Sequence, residues 1–309
     1  MSSGVRSNIN SNDAALKMTR VKSKLISEIR FVLANYFVVP ALGVFVCLLE
    51  ALGRIKFIHF ERFPTWEENL IILSNHPSLL EPWILPLMGF PWMNFPWVFS
   101  HPWSRIKFSL SWFKEWQKGF SLPKKLIPAN VPDKNNFYDP LYLRLFRGIN
   151  IPVDRNGGIQ GRIGTVLVLK KILENGGRVL LFPEGTRTFK AVRQGEFKSV
   201  NGSQLGKLKE GAAWLALKTN ARILPIWVEG TDKVLPNTES PTLKLRYLKL
   251  WHRITIKVGS PFLVQGKTRE EATSEITQAL LELADESLKA RGKSKKPEKF
   301  SQIQFKSSR

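Results

Sequence analysis

A histidine and a carboxylate stand five positions apart in Ser74-Asn75-His76-Pro77-Ser78-Leu79-Leu80-Glu81-Pro82. An imidazole oriented by a carboxylate takes a proton from a hydroxyl near neutral pH, which makes His76 and Glu81 a candidate acid–base pair. The preceding run, Leu70-Ile71-Ile72-Leu73, has the length and bounding of a buried strand, and strand ends are where α/β proteins place their chemistry. Residues five apart on a regular helix point in different directions. The pair therefore needs a turn, and Pro77 and Pro82 hold the backbone out of a continuous helix. A competing reading is a capping box from Ser78 to Glu81, in which the carboxylate only ties backbone. Pro82 opposes it, because with Ser78 as N-cap the first intrahelical donor would be a proline; Pro82 at N1 makes Glu81 the N-cap instead.

A second polar turn follows a second buried strand. Arg178-Val179-Leu180-Leu181-Phe182 opens onto Pro183-Glu184-Gly185-Thr186-Arg187. Gly185 permits a close backbone approach, and Thr186 and Arg187 supply donors for an anionic oxygen cluster. Taken alone this is equally an ordinary turn, and the basic loop behind it (Lys190, Arg193, Lys198, Lys207, Lys209) equally a solvated face.

The elements that must position these turns read as an alternation. Strands are expected at 55–60, 70–74, 150–155, 178–182, 222–228 and 253–258, and helices at 137–147, 159–174 and 211–218. A further helix runs from a capping box at Thr268-Arg269-Glu270-Glu271 to about Ala290, with Ile276, Leu280 and Leu283 inward. Such alternation gives an α/β sheet covered by helices.

The chain has 309 residues, 43% of them hydrophobic and 11% aromatic, enough for one large domain with appendages. Its single cysteine, Cys47, lies in an apolar run and excludes an internal disulfide. With 47 Lys+Arg against 25 Asp+Glu the surface attracts nucleic acid or anionic lipid. Residues 1–30 read as a disordered basic tail without a secretory signal. Phe31 to Leu49 carry no charge and are just long enough to cross a bilayer. Asn35, Tyr36, Pro40 and Gly43 interrupt that run, and both flanks are basic. This favours a helix or bent helical pair lying in one leaflet, over 31–54, with both ends on the cytoplasmic side; a buried helix of a soluble protein is the alternative. Six of the ten tryptophans fall between Trp83 and Trp116 among prolines and cations, as suits a headgroup layer. No nucleic-acid motif accompanies the charge. A Gly-x-Ser-x-Gly elbow and a His-Glu-x-x-His motif are absent, and His59, His76, His101 and His252 are scattered, so neither metal nor cofactor is expected.

From about residue 55 to 290, four blocks occur in a familiar order: Asn75-His76-Pro77-Ser78-Leu79-Leu80-Glu81, then Gly148-Ile149-Asn150-Ile151-Pro152-Val153-Asp154-Arg155, then Phe182-Pro183-Glu184-Gly185-Thr186-Arg187, then Ile223-Leu224-Pro225-Ile226 with Gly230-Thr231-Asp232. Together they resemble the PlsC-type glycerolipid acyltransferases. The resemblance implies a mixed, largely parallel sheet covered by helices, over an acyltransferase domain of 55–290 ahead of a basic tail, 291–309. It implies transfer of a fatty acyl group from acyl-CoA or acyl carrier protein to lysophosphatidic acid, giving phosphatidic acid on an anionic bilayer, membrane-associated at its cytoplasmic face. His76 would be the general base and Glu81 its orienting acid, where the family usually has aspartate. Arg187, Gly185 and Thr186 would hold the acceptor's phosphate, with Lys134 and Arg155 as further candidates and Glu184 orienting that substrate-binding loop or a basic partner. No serine or cysteine is flanked as a nucleophile, so transfer would be direct. Other acceptors (glycerol 3-phosphate, another lysolipid), a non-catalytic membrane-binding homologue and a nucleic-acid binder are the rivals.

Overall fold

The computed structural model describes residues 25–26, 29, 39–64, 69–89, 127–134, 150–153, 158–239 and 245–286. Strand β2 (Leu70–Ser74) has all five residues buried, the pattern of a strand covered on both faces. Successive side chains leave a strand on opposite sides. Leu70 and Ile72 accordingly join one apolar cluster, with Val46 and Leu49 of helix α1 (Val39–Ala51). Ile71 and Leu73 join another, beneath helices α3 (Gly158–Glu174), α5 (Gly211–Thr219) and α7 (Arg269–Asp285). Each such side chain taken out of water contributes about 1.5–3 kcal/mol, so this alternation fixes which way β2 faces.

Around β2 stand β1 (Ile55–Ile58), β3 (Ala129–Asn130), β4 (Arg178–Leu181), β7 (Arg222–Glu229) and β8 (Ile254–Val258), in the order β1-β8-β7-β2-β4-β3. Pairs β1–β8, β2–β7, β2–β4 and β3–β4 are parallel, and β7–β8 is antiparallel. The sheet is thus mixed and largely parallel, as the resemblance implies. Leu73 stands opposite Leu181 on one side and Pro225 on the other, so β2, β4 and β7 finish at one edge. A separate hairpin, β5 (Glu196–Lys198) and β6 (Gln204–Gly206), lies within the expected basic loop.

Several boundaries differ from expectation. Of the strand expected at 150–155, the described residues 150–153 make isolated bridges, Asn150 to Asn130 and Val153 to Asp133, beside the two-residue β3. The strand expected to reach residue 60 stops at Ile58, where His59 turns left-handed at φ 58°. Helix α7 stops at Asp285, five residues early: Asp285 accepts hydrogen bonds from Ser199 Oγ (2.7 Å), Val200 N (2.7 Å) and Asn201 N (3.0 Å), while Glu286 is extended and paired with Arg62. Helix α1 buries Val46 and Leu49 and exposes Val44, Phe45 and Leu48, and Leu52 in the turn that follows is exposed too. No described helix is long and apolar enough to cross a membrane. The expected helix at 137–147, most of the tryptophan-rich stretch, Arg155, the basic tail 291–309 and all of the N-terminal tail except Leu25, Ile26 and Ile29, which are helical, lie outside the described residues.

Candidate active site

Three parallel strands deliver the site. The chain leaves β2 into Asn75-His76, leaves β4 into Phe182–Arg187, and leaves β7 into Gly230-Thr231. Asn75 extends the sheet with its side chain: Nδ2 donates to Val228 O (2.8 Å) and Oδ1 accepts from Val228 N (2.7 Å), as a strand residue's backbone would. His76 is thereby the first residue free of the ladder.

Glu81 opens the short helix α2 (Glu81–Ile84), with Pro82 in its first turn, and is fully buried. Its Oε2 accepts from His76 Nδ1 at 2.9 Å. Its Oε1 accepts from the Thr231 hydroxyl, and both oxygens lie near Ser78 N (3.1 and 3.2 Å). One carboxylate therefore ties the Ser78 backbone, as in the capping reading, and also holds the imidazole. Because a carboxylate only accepts, Nδ1 carries the proton and Nε2 the lone pair. Nε2 makes no hydrogen bond among the described residues. Phe182 stacks on the ring at 4.3 Å between centroids, fixing its plane.

The turn after β4 holds the backbone of His76. Glu184 is buried, and its Oε1 accepts from His76 N (3.0 Å) and Thr188 Oγ1 (2.7 Å), its Oε2 from Gly206 N (2.9 Å). Thr188, first residue of helix α4 (Thr188–Ala191), also donates its N–H to His76 O (2.8 Å). Burial pushes the Glu184 carboxyl above its ordinary range, opposed by these donors. A Cβ on Gly206 would stand 2.9 Å from Glu184 Oε2 and 2.2 Å from Ala191 Cβ, so only glycine lets the hairpin reach the carboxylate. Gly185 sits at φ 71°, the left-handed region that glycine enters without strain.

Arg187 is 6% exposed. Its Nη1 donates to Asn237 Oδ1 (3.2 Å) and its Nη2 to Thr238 O (2.8 Å), while Asn237 Nδ2 donates to Pro77 O (2.7 Å). Burial lowers the Arg187 pKa from its ordinary value. The residues flank a small hollow shared with Leu79, Leu235 and Tyr247.

Residues 129–229 match the family model described as Acyltransferase, a span that takes in the turn after β4 and all of β7. Over that span the chain is similar to acyltransferases. It is 35% identical over 66 residues, 21% of its own length, to the chloroplastic 1-acyl-sn-glycerol-3-phosphate acyltransferase of Arabidopsis thaliana, and that stretch spans 15% of the relative. A solved structure, the 1-acyl-sn-glycerophosphate (LPA) acyltransferase PlsC from Thermotoga maritima, superposes with a TM-score of 0.48 at 18% identity, covering 84% of this chain and 83% of that one.

Of the residues expected in the candidate site, the fold brings His76, Glu81, Glu184, Gly185, Thr186 and Arg187 to one edge of the sheet. Glu184 faces inward, toward backbone donors. Lys134 follows β3 at the far side of β4, its N–H on Val153 O (3.0 Å). Three functional contributors were not singled out in the sequence: Asn75, Thr231 and Asn237. Asn75 and Thr231 sit inside the family blocks, and only their contacts give them roles; Asn237 has no local signal. Among the described residues no three His, Cys, Asp or Glu side chains converge as a metal site.

Proposed function

We propose that this chain moves a fatty acyl group from an acyl thioester, carried by coenzyme A or acyl carrier protein, to the free hydroxyl of 1-acyl-glycerol 3-phosphate, yielding phosphatidic acid. The observation that carries the reading is the 2.9 Å contact of His76 Nδ1 with a buried carboxylate, which leaves Nε2 as the base. Nε2 takes the hydroxyl proton as the oxygen attacks the thioester carbonyl. The carbon–sulfur bond then breaks, and the imidazolium returns its proton to the leaving thiolate. Glu81 steadies the imidazolium in between. Arg187, beside Gly185 and Thr186, supports binding of the acceptor's phosphate. The charge of +22, the exposed Val44, Phe45 and Leu48 of α1 and the exposed Leu52 just after it support work at an anionic, cytoplasm-facing membrane surface.

Purified protein incubated with lysophosphatidic acid and each donor type should form phosphatidic acid and free thiol, and His76→Ala should not. Equal turnover by that variant refutes the mechanism. Preference for glycerol 3-phosphate or another lysolipid would move the assignment to that acceptor.

A further inference from the structure

Phe189, in α4, carries three cations around one ring. Arg187 Cζ lies 4.9 Å from its centroid, Lys190 Nζ 5.7 Å and Arg193 Cζ 5.5 Å. Like charges gathered in this way repel unless oxygen acceptors sit among them. Here one short segment supplies such acceptors. Arg187 takes Asn237 Oδ1 and Thr238 O. Lys190 Nζ meets the Glu239 carboxylate at 3.0 Å and the Glu239 carbonyl at 3.1 Å, and Arg193 meets the same carboxylate at 3.4 Å. Side-chain amide, carbonyl and carboxylate oxygens from residues 237–239 thus face three positive charges with a single negative one.

A phosphate monoester brings three acceptor oxygens and a charge of about −1.5 to −2, a closer match to three cations than one carboxylate. We propose that Arg187, Lys190 and Arg193 form a binding site for a phosphate monoester, and that residues 237–239 hold its place until the ligand displaces Glu239. The proposal rests on the phosphate-acceptor reading above and extends it to Lys190, Arg193 and Glu239. Displacement is easy because the Glu239 side chain is 68% exposed, and exposed ion pairs are weak. Phosphate–guanidinium hydrogen bonds are stronger. The site also adjoins the base: Thr188 follows Arg187 and holds the His76 backbone, and Asn237 holds Pro77 O.

Isothermal titration of the full chain tests this, with glycerol 3-phosphate and coenzyme A as separate titrants and glycerol as the phosphate-free control. Glu239→Gln removes the competing charge and should tighten glycerol 3-phosphate about two- to fivefold. Arg193→Ala should weaken it by about tenfold, and glycerol should respond to neither change. If coenzyme A alone responds, the site holds the donor's phosphate instead of the acceptor's. If neither titrant separates the variants from the parent, or Glu239→Gln weakens both, the site does not exist. A parent protein that shows these shifts but transfers no acyl group would sink the activity reading and leave the anion site standing.

Discussion

The loop after β2 and the segment after helix α6 (Thr231–Val234) wall the same hollow and hold their carboxylates in opposite ways. Glu81 is fully buried, and both its oxygens are committed to His76, Ser78 and Thr231. Glu239 is exposed, and its partners Lys190 and Arg193 lower its pKa from the ordinary carboxylate value. A buried charge that loses a partner has nothing to replace it, whereas an exposed one has water. On the proposed mechanism, the group that must keep one geometry through turnover, Glu81, lies in the first environment, and the group proposed to give way to a ligand, Glu239, lies in the second.

The contrast can be broken at its strong end first. Removing the base with His76→Ala should lower kcat about 10²–10⁴-fold, measured as thiol release; a drop of less than tenfold would place the base elsewhere. Next comes Glu184→Ala, which strands the Gly206 N–H and takes one acceptor from His76 N. It should cost about 3 kcal/mol in urea unfolding. A cost below about 1 kcal/mol would mean the turn is held by Thr188 alone. Thr231→Val takes one donor from Glu81 and should reduce kcat about tenfold with little change in KM, with Thr231→Ser restoring it. An equal loss in both variants would make Thr231 a packing residue.

A remote carboxylate supplies the smallest effect and a control. Glu50 of α1 is half-buried, its Oε2 has no hydrogen-bond partner, and burial raises its pKa to about 7. The folded state therefore holds a proton that the unfolded chain releases near 4.5, so stability is full in acid and falls as pH rises toward 7. Glu50→Gln should flatten the dependence of Tm on pH across that window. A Tm profile unchanged by the substitution would show that Glu50 is solvated.

Much of the fold was legible because β2, β4 and β7 are apolar enough to announce themselves and the turns after them are polar. The capping box at Thr268 was equally plain, as Thr268 and Glu271 bond each other's backbone. Hairpin β5–β6 was not legible, because its first strand alternates exposed, half-buried, exposed and carries two charges. It exists because Glu184 and Asp285 hold Gly206 and the 199–201 turn from outside. Of the site, His76 and Glu81 could be paired from spacing. Thr231 could not, since 150 residues separate it from Glu81. The role of Asn237 depends on where Arg187 and Pro77 end up in space, which no local pattern encodes.

That separation of 150 residues has a consequence for how the protein comes into being. Strand β7 and the hydroxyl behind Glu81 are among the later parts to be synthesised, so a chain emerging from the ribosome carries its histidine long before it carries the support for it. Long-range closure of this kind is slow compared with local structure. On the proposed mechanism, the newborn polypeptide gains the full support of its base only when β7 has joined the sheet.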